Sequence, residues 1–381
     1  MDAQRPDLDA LREQIDRLDR TLLETLRARN EVVLQIARAK KDAGGHPLFD
    51  RQRERAVYER AERHAQEIGL APDLARDLVQ TIVEASHRMQ EWVARERAQG
   101  PGGEVSRRIL IVGGAGRMGR RFATDFSARG HVIDVLEPGD PRDPGSVVGA
   151  ADVVMISVPM AQATAVASEI GRFVRRDAIL CDLNSLKRDI CAAMERSGAG
   201  EVVGLHPMFG PSVHSLRRQK IVICPVREGP HAAWLRSELA SLGLEIVEST
   251  PDEHDRMMAV VQVLTHYSTI VMGAALERSG LDLADTLRFT SPIYRLELAF
   301  VGRLFAQDPD LYAEIEMTNP DGAALRKAFL DAANEIDHML ENGDRRAFRL
   351  QFEDVASWFR TFSGEAMTLS NRIIDWVVRA P

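Results

Sequence analysis

A glycine-spaced turn, Val112-Gly113-Gly114-Ala115-Gly116-Arg117-Met118-Gly119, lies more than a hundred residues into this chain. Gly114, Gly116 and Gly119 form G-x-G-x-x-G directly after the apolar run Arg108-Ile109-Leu110-Ile111-Val112. That is the strand-turn-helix context in which a dinucleotide binds. Gly114 permits the tight turn, Gly116 lets a pyrophosphate reach the main chain, and Gly119 lets helix pack on strand. Met118 sits inside the same turn and counts with it as a cofactor contact. The helix that follows points its unpaired N–H groups at the phosphates. Such a unit usually opens its domain, so the helical residues ahead of it belong to a separate machine.

At 381 residues the chain is too long for one ordinary core. Charged residues make up 28% and hydrophobic residues 45%, as in a soluble globular protein. A formal net charge of −8 argues against a general binder of nucleic acid or anionic membrane, while leaving anionic small molecules open. Cys181, Cys191 and Cys224 lack metal-ligand spacing and suit free thiols in a reducing cytoplasm. No metal site is expected. Met1–Pro6 lacks the apolar core of a signal peptide. The run Met257–Glu277 is the best candidate membrane span, but Gln262, His266, Tyr267 and Ser268 interrupt it. A buried helix is therefore expected there.

Residues 7–41 read as one long helix, with Leu8, Leu11, Ile15, Leu18, Leu22, Val32 and Ile36 on heptad a and d positions. Gly44-Gly45-His46-Pro47 ends it. Further helices are predicted from about Asp50 to Ile68 and Pro72 to Arg97, and Gln99-Gly100-Pro101-Gly102-Gly103 is a linker. Strand signals follow at Arg108–Val112, Val132–Leu136, Val153–Val158, Ile179–Asp182, Val202–Leu205, Ile221–Cys224 and Leu244–Glu248, alternating with helical or loop segments. This is the pattern of a doubly wound α/β domain. From Asp252 onward only helices are expected, among them Asp252–Arg278, Pro292–Phe305 and Arg345–Val378. The fold class is multidomain: all-α residues 1–98, linker 99–106, a Rossmann-type α/β domain 107–250, and an all-α domain 251–381.

The N-terminal helices carry polar groups where core belongs. Arg29 follows Leu8, Ile15 and Leu22 at heptad a, and a buried arginine is costly unless it meets an anion. Lys40, eleven residues on, lies about 20° around the helix from Arg29. Asp50, Arg53 and Glu54 share one face, and Ser86 and Gln90 extend the row Leu74-Leu78-Ile82. The reading is a polar pocket within a helical bundle.

On these residues, with Leu11-Arg12-Glu13-Gln14-Ile15-Asp16, residues 1–98 resemble the all-helical chorismate mutases. The resemblance implies that Arg12, Arg29 and Arg53 hold the two substrate carboxylates. It gives Lys40 and Gln90 to the ether oxygen, Glu54 to the ring hydroxyl, and Asp50 and Ser86 to completing the pocket. The residue types suit a pericyclic rearrangement, which needs no base or nucleophile. Catalysis then comes from compressing a dianion and stabilising charge on the breaking C–O bond.

In the second half, Glu137 ends the second strand eighteen residues past Gly119, where an acid accepts the ribose hydroxyls of NAD and repels a 2′-phosphate. Arg142, close by, keeps NADP open. Ser157-Val158-Pro159, after an apolar strand, resembles the loop under the nicotinamide ribose in related dehydrogenases, which implies Ser157 and Pro159 as contacts. Asp182-Leu183-Asn184-Ser185-Leu186-Lys187 and Gly204-Leu205-His206-Pro207-Met208-Phe209-Gly210-Pro211 follow strands, at the edge where ligands bind. His206, flanked by prolines in a fixed loop, is the candidate base.

With Glu253-His254-Asp255, His266, Ser291-Pro292-Ile293-Tyr294-Arg295 and Val301-Gly302-Arg303, residues 107–381 resemble prephenate dehydrogenases. That resemblance implies proton acceptance by His206, with Ser185 orienting the histidine or the hydroxyl. Arg303 is implied to bind the ring carboxylate, His266 and Arg295 to shape the side-chain end, and His254 to contact substrate. Together the halves resemble the bifunctional chorismate mutase/prephenate dehydrogenases of bacterial tyrosine synthesis. The family implies a homodimer using NAD and inhibition by tyrosine. Two alternatives stay open: arogenate in place of prephenate, and N-terminal helices that form a non-catalytic dimerisation or effector module.

Overall fold

The computed structural model describes residues 8–42, 51–97 and 106–379. The chain divides into two compact units, one of residues 1–106 and 122–132, which holds the N-terminal helices, the other of residues 107–121 and 133–381, which holds most of the sheet and everything after it. The first has α1 (Leu8–Asp42), α2 (Arg51–Glu67) and α3 (Pro72–Arg97), with α3 packed on both others. At 35 residues and 1.5 Å per residue, α1 runs unbroken for about 52 Å. Val33, Ala65, Ala75 and Val83 form a small core, and an Arg76–Glu62 ion pair ties α3 to α2. The heptad seam does not close within this unit. Leu8, Leu11, Ile15, Leu18, Leu22, Val32 and Ile36 all stand exposed, contrary to a stripe buried in one chain.

The second unit is built on a seven-stranded sheet of order β2-β1-β3-β4-β5-β6-β7. The strands are β1 (Arg108–Val112), β2 (Val132–Leu136), β3 (Val153–Ile156), β4 (Ile179–Asp182), β5 (Glu201–Pro207), β6 (Lys220–Arg227) and β7 (Glu245–Glu248). The intervening helices are α4 (Arg117–Ser127), α5 (Pro144–Gly149), α6 (Met160–Ile170), α7 (Arg188–Arg196) and α8 (Pro230–Ser241). Parallel β1, β3, β4 and β5 are apolar runs almost wholly buried, as strands covered on both faces must be. β6 turns antiparallel to β5, and β7 runs parallel to β6. Because β1 lies between β2 and β3, chain direction switches there, which opens the ligand crevice at the carboxyl ends of β1 and β3.

The C-terminal helices are α9 (Pro251–Met258), α10 (Thr265–Arg278), α11 (Leu283–Arg288), α12 (Pro292–Phe305), α13 (Pro309–Thr318), α14 (Gly322–Glu341), α15 (Arg345–Phe359) and α16 (Phe362–Arg379). Thr250-Pro251, Ser291-Pro292 and Asp308-Pro309 start three of them alike. The first side chain accepts a backbone N–H of the opening turn, and proline sets the first helical φ.

Two expectations need correction. The single helix over 345–378 breaks at Arg360, whose φ is +45°, so α15 and α16 are separate. The helix expected to be buried, Pro251–Arg278, is long and apolar enough to cross a membrane, yet only 11% of its most apolar window is buried in this chain. It also passes through a π-helical segment, Ala259–Leu264, between α9 and α10.

Candidate active sites

In the N-terminal unit the helices bring part of the expected set together. Arg29 is half-buried, and its Nη1 donates to Ser86 Oγ at 2.5 Å across the α1–α3 contact. Ser86 in turn donates to the Ile82 carbonyl at 2.8 Å, which fixes its hydroxyl. Ser86 and Glu54 are both buried. Arg53, one residue before Glu54, is exposed. Lys40 lies on α1 and Gln90 on α3, and for both only the helix position is described; Asp50 falls outside the described residues. Arg12 stands apart near the start of α1, exposed and paired with Asp9 at 3.1 Å.

In the second unit the glycine turn is a close-packed cradle. Gly113 has φ +79°, and a Cβ there would lie 2.8 Å from the Ser157 carbonyl oxygen. A Cβ on Gly114 would meet Val135 at 2.9 Å, and one on Gly119 would sit 2.7 Å from the Gly114 Cα. The Ser157 amide donates to the Val112 carbonyl at 2.8 Å, so the β3 loop flanks the turn. Pro159 caps α6 immediately after it. Met118 is half-buried in the first turn of α4. Glu137 lies against the turn, where its Oε1 accepts the Ala115 N–H at 2.6 Å. Arg142, the residue that kept NADP open, is fully engaged. Its guanidinium bonds Asp134, Asp140 and the Val135 carbonyl. These features fit NAD: a glycine floor, a helix N-terminus, and a carboxylate after β2 against the turn, with Arg142 drawn off to Asp134 and Asp140.

Two strands along, the candidate base is held by a buried network. His206 lies in β5, almost wholly buried, opposite Val222 of β6. Its Nδ1 is 2.8 Å from His254 Nε2, and His254 Nδ1 is 2.7 Å from Asp255 Oδ1. Asp255 also accepts the backbone N–H groups of Lys187 and Arg188 at 2.8 and 2.9 Å, at the start of α7. Burial raises the Asp255 pKa, but the His254 bond and those amides outweigh it and hold the carboxyl below its usual range. Burial first, then His254 and Lys187, push the His206 pKa well below its ordinary 6.5, so the imidazole is neutral at pH 7.

Lys187 is fully buried. Its ammonium bonds Asp182 and the Leu205 carbonyl, which locks the end of β4 to the residue before His206. Gly204 is required beside it, since a Cβ there would lie 2.9 Å from Lys187 Cδ and 2.5 Å from Cys191 Sγ. Asn184 donates to the Val158 carbonyl at 2.9 Å, joining this corner to the loop after β3. Asn184 Oδ1, Gln262 Oε1 and His266 Nδ1 are buried atoms with no hydrogen-bond partner among the described residues. Such atoms suit polar groups of a ligand.

His254 departs from its expected role as a substrate contact. Both its ring nitrogens are taken by protein, and its side chain is closed to solvent. Ser185 is half-buried in the turn after β4 and, among the described residues, makes no hydrogen bond to His206. His266 packs edge-on against Tyr312 at 4.9 Å, and burial lowers its pKa. Burial raises the Tyr312 pKa, the Arg303 charge opposes that rise, and Arg303 itself is exposed. Arg295, eight residues before Arg303 on α12, is exposed, and among the described residues no ion pair joins it to Glu297. Sequence reasoning gave no role to Gln262, whose Nε2 is 3.3 Å from His206 Nε2. Its one signal was polarity within an apolar run.

A glycine-turn nucleotide fold with a neutral, buried histidine at the carboxyl edge of its sheet defines a nicotinamide-dependent dehydrogenase, here fused to a helical unit. The chain is 33% identical to the T-protein of Haemophilus influenzae over 97% of this chain and 96% of that one. It is 35% identical to the T-protein of Enterobacter agglomerans over 93% of each. The chain belongs to the T-protein family, the bifunctional chorismate mutase/prephenate dehydrogenases of tyrosine biosynthesis. Family models agree in order: chorismate mutase type II at residues 11–91, then the prephenate dehydrogenase nucleotide-binding domain at 134–243 and dimerization domain at 250–354. The nucleotide-binding match begins past the glycine turn, so that turn's assignment rests on its geometry. Among solved structures, prephenate dehydrogenase from A. aeolicus with hydroxyphenyl propionate and NAD+ has the same fold. The TM-score is 0.55 at 19% identity, covering 70% of this chain and all of that one. The protein is thus an isomerase and an NAD-dependent oxidoreductase: it converts chorismate to prephenate and oxidatively decarboxylates prephenate.

Proposed function

We propose that His206 is the base of the dehydrogenase half and that this half prefers prephenate to arogenate. NAD bound over the glycine turn supplies the hydride acceptor. His206 takes the proton of the ring hydroxyl through Nε2 as hydride leaves C4, and loss of CO2 then aromatises the ring to 4-hydroxyphenylpyruvate. Arg303 takes the ring carboxylate, beside His266 and Tyr312. Arg295 shapes the side-chain end, Ser185 reaches the substrate hydroxyl, and Gln262 borders it. Glu137 receives the ribose hydroxyls. The observation that carries this reading is a buried imidazole at the carboxyl end of β5, with His254 at its Nδ1 and Gln262 at its Nε2. His206→Asn should keep NAD and prephenate binding while turnover falls by roughly 10²-fold or more. Unchanged turnover with a raised KM would make His206 a binding residue. Assaying arogenate beside prephenate decides the substrate.

For the mutase half, we propose a pocket floored by Arg29, Ser86, Glu54, Arg53, Lys40 and Gln90, with Asp50 completing it. Arg12 arrives from a second copy of the chain. The exposed α1 seam supports an antiparallel pairing of α1 with its twin. The exposed apolar face of Pro251–Arg278 supports a further dimer contact in the tail. Division into 1–98, 107–250 and 251–381 gives each activity its own scaffold. Tyrosine, which resembles the product, acts at the dehydrogenase pocket. The cytoplasm suits three free, buried cysteines.

A further inference from the structure

The buried network beside His206 has a defined direction. Asp255 accepts two backbone N–H groups and is held ionised, so it accepts from His254 as well. The proton between them therefore sits on His254 Nδ1, and His254 Nε2 presents a lone pair. Facing that lone pair at 2.8 Å, His206 Nδ1 carries its own proton, and His206 Nε2 is left as the acceptor. The Gln262 amide nitrogen, 3.3 Å from that Nε2, is a donor and agrees with this assignment. Three side chains thus set one tautomer, the one in which Nε2 can take a proton.

We propose that His254 and Asp255 act on the oxidation through His206. His254 fixes the His206 tautomer and receives the His206 Nδ1 proton as Nε2 receives the substrate's. The proposal rests on the reading of His206 as the base. Its balance is closed. The substrate O–H bond breaks and its proton bonds to His206 Nε2, while the freed O–H electron pair forms the C4 carbonyl as the C4–H pair leaves as hydride. The His206 Nδ1–H bond breaks and its proton bonds to His254 Nε2. His206 ends neutral, and the positive charge ends on His254 against Asp255.

The surroundings favour that endpoint. Among the described residues, the charged and titratable groups of this corner are Lys187, Asp182, His254 and Asp255, with the buried thiols Cys191 and Cys224, which burial keeps neutral, coupled to them. A cation kept on His206 would share a buried corner with the Lys187 ammonium, whose own carboxylate partner is already paired. One ring further on, the same charge meets an ionised carboxylate. His254 is a positioning residue in this scheme, since it touches neither substrate nor cofactor.

The test uses the full-length enzyme with NAD and prephenate. His254→Gln retains an amide oxygen that can accept from His206 Nδ1 but cannot carry a proton onward. Its kcat should fall by roughly 10²-fold, with both KM values near those of the unaltered enzyme. Asp255→Asn removes the negative charge that meets the cation on His254 and should cost up to roughly 10⁴ in kcat, the scale of losing an orienting carboxylate in a catalytic triad. It should also move the acid limb of the pH profile lower, because a carboxylate no longer stabilises the cation. Mutase activity reports folding of each variant. The unaltered enzyme gives an answer without any variant: turnover in H2O/D2O mixtures should curve with deuterium fraction, as two protons move together. A linear dependence overturns the proposal, as does a His254→Gln enzyme whose kcat stays within about twofold. His206→Asn, run in parallel, separates the two levels. If it too retains turnover, the base assignment fails; if it alone loses turnover, only the relay fails.

Discussion

Arg12 and Lys40 lie on one unbroken helix, and that fact limits how a mutase site can be built. At 1.5 Å per residue they are about 42 Å apart, and Arg12 is about 25 Å from Arg29. Chorismate spans on the order of 10 Å, so no single chain can bring Arg12 to a substrate held by Arg29 and Lys40. If Arg12 contributes, it does so from a partner whose α1 runs antiparallel, along the exposed seam from Leu8 to Ile36. Arg12→Ala and Lys40→Ala homodimers should each lose mutase activity. Unfolded together in equal amounts and refolded, half of the dimers should be mixed. In each mixed dimer one site carries both lesions and the other neither, so about a quarter of all sites are intact. Chorismate consumption should recover to roughly that fraction, with dehydrogenase activity as the internal standard. No recovery, with mixed dimers demonstrated by mass, would show that each site is built within one chain.

Gly119→Ala should weaken NAD and spare the mutase. The added methyl would lie 2.7 Å from the Gly114 Cα, so α4 must shift. At about 1–3 kcal/mol for such overpacking, the KM for NAD should rise by roughly five- to 150-fold; an unchanged KM would place the pyrophosphate elsewhere. Glu137 and the engagement of Arg142 by Asp134 and Asp140 predict a kcat/KM for NAD at least about tenfold above that for NADP. A ratio near unity would redirect attention to Arg142. Because the His206 pKa is lowered and the base must be neutral, dehydrogenase kcat/KM should stay level as pH falls through 6.5 and decline only below it. An acid limb at or above that value would contradict the assignment.

The sheet was largely legible because its strands are short apolar runs between turn residues. β1, β2 and β4 fall where the pattern put them. The heptads of α1 announced a packed helix but not its partner, since periodicity is the same whether the facing helix belongs to this chain or another. His254 was visible in Glu253-His254-Asp255, yet its role depends on meeting a residue 48 positions away. Lys187 lay in plain view in Asp182–Lys187, but only the fold reveals that it is fully buried. The break at Arg360 had no glycine or proline at its position to mark it, so the pattern ran straight through.

The π-helical segment Ala259–Leu264 has a consequence for changes in chain length. A π turn carries one residue more than the α-helix it interrupts, which puts α10 out of phase with a straight continuation of α9 by roughly 100°. His254 and Asp255 precede the segment, Gln262 lies within it, and His266 follows it. A deletion of one residue here would let the helix heal into regular α-geometry. Every group beyond it would then swing around the axis, with His254 still bonded beneath His206. Substitutions in this segment alter side chains one at a time. A single lost codon would instead turn His266 and the helix beyond it away from His206, in a chain whose composition is almost unaltered.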